Sequence, residues 1–185
     1  MIIFIIIWSI WFLSEIFLNR FFRSGKSSKM FQGKGSVIII WITIGIAMNI
    51  GIMTLYLIKC PISKLIIVPY IGLFLIVAGM IIRFIAVQSL GRFFTIYVTI
   101  QENHKIIKEG VYKMIRHPSY LGSLISFLGF GISVNNWISL IIVTIPIVIA
   151  FIYRIKEEEK ILLKQFGSDY SEYMRSTYRL IPYIY

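Results

Sequence analysis

The chain has 185 residues, of which 58% are apolar, and its mean hydropathy is +0.83. Because soluble domains are usually about 45–50% apolar, these values exclude an ordinary soluble protein. The net charge of +11 would indicate nucleic-acid binding in a soluble protein. In a hydrophobic chain it indicates instead the lysine and arginine bias of cytoplasmic loops. We therefore expect membrane lipids, and no nucleic acid, as partners.

Neither a disulfide nor a metal site is predicted. Cys60 is the single cysteine, which excludes an internal disulfide. The two histidines, His104 and His117, are thirteen residues apart and have no cysteine partners. Zinc sites combine three or four such ligands, so we expect none here.

Five apolar segments are predicted to span the membrane, at about 1–18, 37–58, 65–90, 119–134 and 137–153. The first has no basic residues before it and no small-residue cleavage site, so we interpret it as a retained span rather than a signal peptide. The last two are short and are joined by a turn in which Asn135 and Asn136 suit left-handed backbone angles. The predicted fold is an all-α integral membrane protein with about five transmembrane helices.

Basic residues predict the orientation of these spans. Five of them lie in 19–35, five in 91–118 and six after residue 153, whereas 59–64 has two and 133–136 has none. Lysine and arginine collect on the cytoplasmic side of membrane proteins. We therefore predict the N-terminus outside, the C-terminus in the cytoplasm and the polar chemistry on the cytoplasmic face.

The chain is predicted to form one domain over residues 1–185. Residues 1–90 supply three N-terminal spans, and residues 91–185 supply a cytoplasmic connector, a helical hairpin and a charged tail. In the tail, a helix is expected through about Phe166 and is ended by Gly167. Ser168 or Asp169 is expected to cap a second short helix.

Two charged groups stand at the edges of apolar spans. Pro118 suits the first turn of a helix, so Arg116 and His117 are expected beside free N–H groups that favour an anion. Alternatively, Arg116 reaches towards lipid headgroups and His117 caps the helix. Arg154 and Glu158 are four residues apart and can pair on one helix face, unless this run is only a solvated charged helix.

Other polar residues near apolar segments have weaker implications. Glu157 and Glu159 are expected to point to water. Glu15 and Arg83 lie at membrane depth, where an ionisable residue is a functional candidate by default, although Glu15 can also reach water near the interface. Small residues recur every three or four positions in the fourth span and predict close helix packing, at 119, 122, 123, 126, 129 and 133.

Two stretches together resemble a known family. "HKIIKEGVYKMIRHPSYLG" at 104–122 precedes the hairpin, and "RIKEEEKILLKQFGSDYSEYM" at 154–174 follows it. In this order they resemble the isoprenylcysteine carboxyl methyltransferase family and, more loosely, the related phospholipid N-methyltransferases. The resemblance covers roughly residues 90–185. It implies a membrane enzyme that uses S-adenosylmethionine and builds the cofactor pocket from the connector, the start of the hairpin and the tail.

The resemblance also implies roles for particular residues. Arg154 would meet the carboxylate of a lipophilic acceptor such as an isoprenylcysteine. Tyrosine rings could stabilise the sulfonium through cation–π attraction. The implied cofactor contacts are His104, Ile106, Ile107, Tyr112, His117, Pro118, Ser119, Tyr120 and Glu158.

Alternatives remain open at this point. A phospholipid amine or a small thiol could accept the methyl group, and Glu15, His104 or His117 would then be candidate bases. A nicotinamide-dependent membrane reductase would need a second phosphate site, for which no dedicated arginine cluster is apparent. A non-catalytic membrane scaffold would use the same charges as interfacial anchors. The oligomeric state is not predicted.

Overall fold

The computed structural model describes residues 2–21, 34–94 and 105–185. Over these ranges the fold is all-α, as predicted, with one isolated bridge between Ile115 and Tyr178 and no strand. Two short 3-10 helices lie at Gly91–Phe93 and Gly110–Lys113. The six α-helices are α1 (Ile2–Phe21), α2 (Lys34–Leu57), α3 (Ile67–Leu90), α4 (Pro118–Ser133), α5 (Trp137–Phe166) and α6 (Ser168–Ser176).

Three described helices, α2, α3 and α5, are long and apolar enough to cross a membrane, so this is a membrane protein. The apolar part of α1, Ile2–Leu18, is shorter, and α4 has 16 residues. The fifth predicted span and the predicted tail helix form one continuous helix, α5, of 30 residues. At about 1.5 Å per residue it is about 45 Å long, so its charged end extends beyond a hydrocarbon core of about 30 Å.

Helices α3 and α4 pack closely along their small residues. A Cβ atom added to Gly122 would lie 2.6 Å from the carbonyl oxygen of Gly79, and one on Gly129 would lie 2.7 Å from that of Gly72. Ser126 Oγ donates to the Ile76 carbonyl across the interface. The predicted packing stripe in the fourth span is therefore confirmed, since only small residues permit this approach.

The hairpin between α4 and α5 is held by its two asparagines. Asn135 adopts a φ of 52°, and its side chain exchanges hydrogen bonds with the backbone of Ser63. Asn136 caps α5 by accepting from the N–H groups of Ile138 and Ser139. The prediction of a tight turn is confirmed.

The C-terminal region returns to the start of α4. Gly167, with a φ of 54°, ends α5 and directly precedes α6. The predicted cap by Ser168 or Asp169 is wrong, because Ser168 is already helical and no side chain caps α6. Beyond α6, the Arg116 N–H donates to the Tyr178 carbonyl at 2.8 Å. The end of the chain therefore lies against the residues that open α4.

Candidate functional site

A cavity of about 190 Å³ lies where the helices meet the connector. One part of its wall is apolar and includes Trp11 of α1, Ile40 of α2 and Phe127 of α4. The other part carries the polar residues of the two motifs. Eight of the ten predicted site residues line this cavity: Ile106, Ile107, Tyr112, His117, Ser119, Tyr120, Arg154 and Glu158.

The other two predicted residues have different positions. Pro118 is the first residue of α4 and is fully buried, but it does not border the cavity. Proline suits this position because the first helical N–H has no partner within the helix. His104 lies outside the described residues.

Arg154, Tyr120 and Glu158 form a connected group. The Tyr120 hydroxyl donates to Glu158 Oε2 at 2.5 Å and accepts from Arg154 Nε at 3.2 Å. Arg154 Nε lies 3.7 Å from Glu158 Oε2, which confirms the predicted pair. Arg154 is only 2% exposed and also donates from Nη1 to Ser36 Oγ at 2.8 Å. Ser36 was not predicted as a site residue, because no sequence motif marks it in α2.

Aromatic side chains surround the polar group. The His117 and Tyr120 rings stack at 5.6 Å between centroids and 18° between planes. The Tyr173 hydroxyl donates to the Tyr112 carbonyl at 2.6 Å. Burial raises the pKa of Tyr173 to about 12, against the opposing charge of Arg116. Burial, with the Glu158 charge, also raises the pKa of Tyr112. Both hydroxyls are therefore protonated donors at neutral pH.

The position of Glu159 differs from the predicted one. This residue was expected to face water, but it is only 3% exposed. Its Oε1 lies 3.0 Å from Arg116 Nε and 3.4 Å from His117 Nε2, and its Oε2 lies 2.9 Å from Arg179 Nε. The helical spacing could have revealed this burial, because Glu159 follows the fully buried Ile155 by four residues on the same face.

Arg116 has an anionic partner within the protein. Besides Glu159, its Nη1 contacts the backbone carbonyls of Met174, at 2.9 Å, and Thr177. At 9% exposure Arg116 does not reach towards lipid, so that alternative is wrong. The carboxylate of Glu159 thus pairs with the side chains of Arg116 and His117, whose own backbone N–H groups donate to the Tyr178 and Arg179 carbonyls.

Glu15 and Arg83, which the sequence left without a role, form an ion pair. Arg83 Nε lies 2.9 Å from Glu15 Oε1, and both residues border the cavity. Arg83 Nη1 donates to Ser123 Oγ at 2.7 Å and to Ser119 Oγ at 3.0 Å. Polar groups of α1, α3 and α4 therefore meet at this side of the cavity.

The sequence that forms this cavity is similar to that of a known family. A family model described as "Isoprenylcysteine carboxyl methyltransferase (ICMT) family" matches residues 70–164, which is more than half of the chain. The chain belongs to this family. The predicted family is confirmed, but the match begins earlier than predicted, within α3, and ends earlier, at residue 164 within α5.

Several members of the ICMT family are similar in sequence. The chain is 37% identical over 119 residues to the "Probable protein-S-isoprenylcysteine O-methyltransferase" of Oryza sativa subsp. japonica, covering 63% of this chain and 62% of that protein. It is 38% identical over 115 residues to protein-S-isoprenylcysteine O-methyltransferase B of Arabidopsis thaliana, covering 61% and 58%. The aligned region thus spans about three fifths of the length of these relatives.

A solved structure has a similar fold. It is described as the eukaryotic intramembrane Ras methyltransferase ICMT and superimposes with a TM-score of 0.57 at 25% identity. The superposition covers 80% of this chain and 51% of that one. The all-α fold is therefore that of an ICMT membrane protein.

Proposed function

We propose that this protein transfers a methyl group from S-adenosylmethionine to the carboxylate of a prenylated cysteine. Membership of the ICMT family and the names of its relatives support this reaction. The observation that carries the proposal is the connected Arg154–Tyr120–Glu158 group, with Arg154 buried, which borders both the polar and the apolar parts of one cavity. An acceptor with a charged head and a hydrocarbon chain needs both surroundings.

The residues on the polar side suit the cofactor. The Glu158 side chain is 23% exposed and can accept hydrogen bonds from ribose hydroxyls or an ammonium group. Tyr112, Tyr120, Tyr170 and Tyr173 border the cavity and offer ring faces to a sulfonium, each worth about 0.5–2 kcal/mol. S-adenosylmethionine supplies, when bound, an electrophilic methyl group. We propose Ile106, Ile107, His117 and Ser119, with His104 beyond the described residues, as its other contacts.

The residues of the chain would act by positioning. A carboxylate is already ionised at neutral pH, so the reaction needs no general base. Arg154 would orient the acceptor carboxylate through the oxygen that does not react. Glu158 and the Tyr120 hydroxyl partly neutralise the positive charge of Arg154. Arg154 would therefore withdraw less electron density from the reacting oxygen, which keeps its nucleophilicity. Holding two reactants in alignment can contribute about 7–11 kcal/mol.

The apolar wall suits the hydrocarbon part of the acceptor. Phe127 and Phe151 border the cavity near the polar group, and α1 and α2 contribute Trp11, Val37 and Ile40. Burying a hydrocarbon chain contributes about 25 cal/mol per Å² of apolar surface. We propose that the prenyl chain lies along this wall, which would favour a lipophilic acceptor over a small polar acid.

We further propose that the chain is one domain with five spans. Helices α1 and α4 would add to the three long helices, with the N-terminus outside and the catalytic cavity on the cytoplasmic face. The distribution of lysine and arginine supports this orientation. The charged end of α5 and all of α6 would then lie in the cytoplasm with the bound cofactor.

Methyl transfer by the purified protein tests the reaction. The protein in detergent is given methyl-labelled S-adenosylmethionine and an S-prenylated cysteine with a free carboxylate. We expect labelled methyl ester, and no label on the matched acceptor whose carboxylate is already esterified. Labelling of a phospholipid amine or a thiol in place of the carboxylate would contradict the proposed acceptor. Absence of transfer to all of them would contradict the proposed activity.

A further inference from the structure

Glu159 has no role in the proposed reaction, yet it is the most buried carboxylate among the residues described. Its two oxygens contact three cationic or ionisable side chains, Arg116, His117 and Arg179. A buried ion pair adds little net stability compared with apolar packing. Removing one partner leaves the other as an unpaired charge in the protein interior. Stability alone therefore explains this cluster poorly.

The cluster joins two distant parts of the chain. Arg116 and His117 open α4, whereas Arg179 lies beyond α6 in the C-terminal segment 177–185. Backbone hydrogen bonds run beside the cluster, from Arg116 N to the Tyr178 carbonyl at 2.8 Å and from His117 N to the Arg179 carbonyl at 3.1 Å. Glu159 thus lies where α5, the start of α4 and the C-terminal segment converge.

From Glu159 a short path of contacts leads to the cavity. Because a carboxylate only accepts, the contact with His117 requires a proton on Nε2 of that ring. His117 stacks on Tyr120, and the Tyr120 hydroxyl contacts both Glu158 and Arg154. The orientation of His117 is therefore coupled to the residues that border the proposed cofactor site.

We propose that Glu159 is a positioning residue for the cofactor half of the site. It fixes the proton and the plane of the His117 ring, and it holds the C-terminal segment against the start of α4. His117 in turn holds the Tyr120 ring and hydroxyl in place for the cofactor. This inference rests on the proposed use of S-adenosylmethionine.

The test measures binding of S-adenosylhomocysteine to the detergent-purified full chain by titration calorimetry. Glu159→Gln removes the charge and keeps the shape. We expect its dissociation constant to be at least tenfold higher than that of the wild type. Glu157→Gln is the matched control, because Glu157 lies in the same helix but pairs with the exposed Lys160. It should bind as the wild type does.

The outcomes separate the two proposals. If the wild type does not bind, the proposed function fails, and the inference fails with it. If the wild type binds and folded Glu159→Gln binds equally well, the inference alone is wrong, even where the variant melts earlier. An equal loss in Glu157→Gln would also overturn it, because any loss of negative charge on α5 would then suffice.

Two further variants keep the inference testable. Should Glu159→Gln fail to fold, Glu159→Asp keeps the charge but shortens the reach, and we expect at least threefold weaker binding. Unchanged binding by that variant would overturn the inference. Combining Glu159→Gln, or Glu159→Asp in its place, with His117→Asn tests the path. The double variant should bind S-adenosylhomocysteine only slightly more weakly than His117→Asn alone. If the losses of binding free energy from the two substitutions are fully additive, Glu159 does not act through His117.

Discussion

At the residue scale, the site depends on one hydroxyl shared by two opposite charges. Tyr120 accepts from Arg154 and donates to Glu158, so neither charged group contacts the other at hydrogen-bond distance. Arg154 reaches Tyr120 through Nε and Ser36 through Nη1, which uses the fork of the guanidinium. A point charge at this position could not make both contacts in the same geometry.

Arg154→Lys should therefore lower turnover strongly. We expect at least a hundredfold fall in kcat for methyl ester formation, because an ammonium cannot keep the contacts with Tyr120 and Ser36 while it also holds the acceptor carboxylate. Binding of S-adenosylhomocysteine should remain within about threefold of the wild type, which serves as the control for folding. Near-normal methylation by the variant would remove Arg154 from the proposed role.

At the element scale, α3 and α4 approach so closely that their glycines have no space for a side chain. A Cβ atom on Gly79 would overlap with the Gly122 carbonyl and the Ser126 side chain. Because both helices carry residues of the cavity wall, this packing also sets the distance between Arg83 and Ser119. Separation of the helices would widen the cavity.

Gly79→Ala should destabilise the protein. Overpacking of this kind costs about 1–3 kcal/mol, which corresponds to a fall in Tm of roughly 2–12 °C for a chain of this size. Gly45→Ala in α2 is the matched control, because a Cβ atom there has nothing within 4 Å. Thermal unfolding in detergent measures both. An equal Tm for the two variants would contradict the described packing.

The helices could be predicted from sequence because the lengths of the apolar runs determine them, and the small residues of α4 marked its packing face. The partners of Glu159 could not, because Arg116 and Arg179 lie 43 and 20 residues away along the chain. Trp11, in the cavity wall, and Ser36, which accepts from Arg154, were missed for another reason. They lie in nearly uniform apolar helices, where no local pattern distinguishes a residue of the site from one in contact with lipid.

At the scale of the whole molecule, the proposed orientation places the connector, the end of α5 and α6 on the cytoplasmic side. The short segment between α2 and α3 would then lie outside. It carries Cys60, the single cysteine of the chain, which is partly exposed. Labelling of this thiol can therefore show on which side of the membrane the segment lies.

A membrane-impermeant maleimide should label Cys60 in intact cells that express the protein. The control variant combines Cys60→Ser with Ser168→Cys, which moves the thiol to an exposed position at the start of α6. We expect that variant to be labelled only after the membrane is permeabilised. The opposite pattern would reverse the proposed orientation.

The proposed function requires that the cavity beside Glu158 binds S-adenosylmethionine. The most direct measurement is thermal unfolding of the purified protein with and without S-adenosylhomocysteine. At about 100 times the dissociation constant, binding to the folded state adds about 2.7 kcal/mol, or a rise in Tm of roughly 5–11 °C. We predict that Glu158→Ala loses this rise and that Glu157→Ala, its neighbour in the same helix, keeps it. A folded, monodisperse wild-type protein whose Tm does not change would contradict the claim.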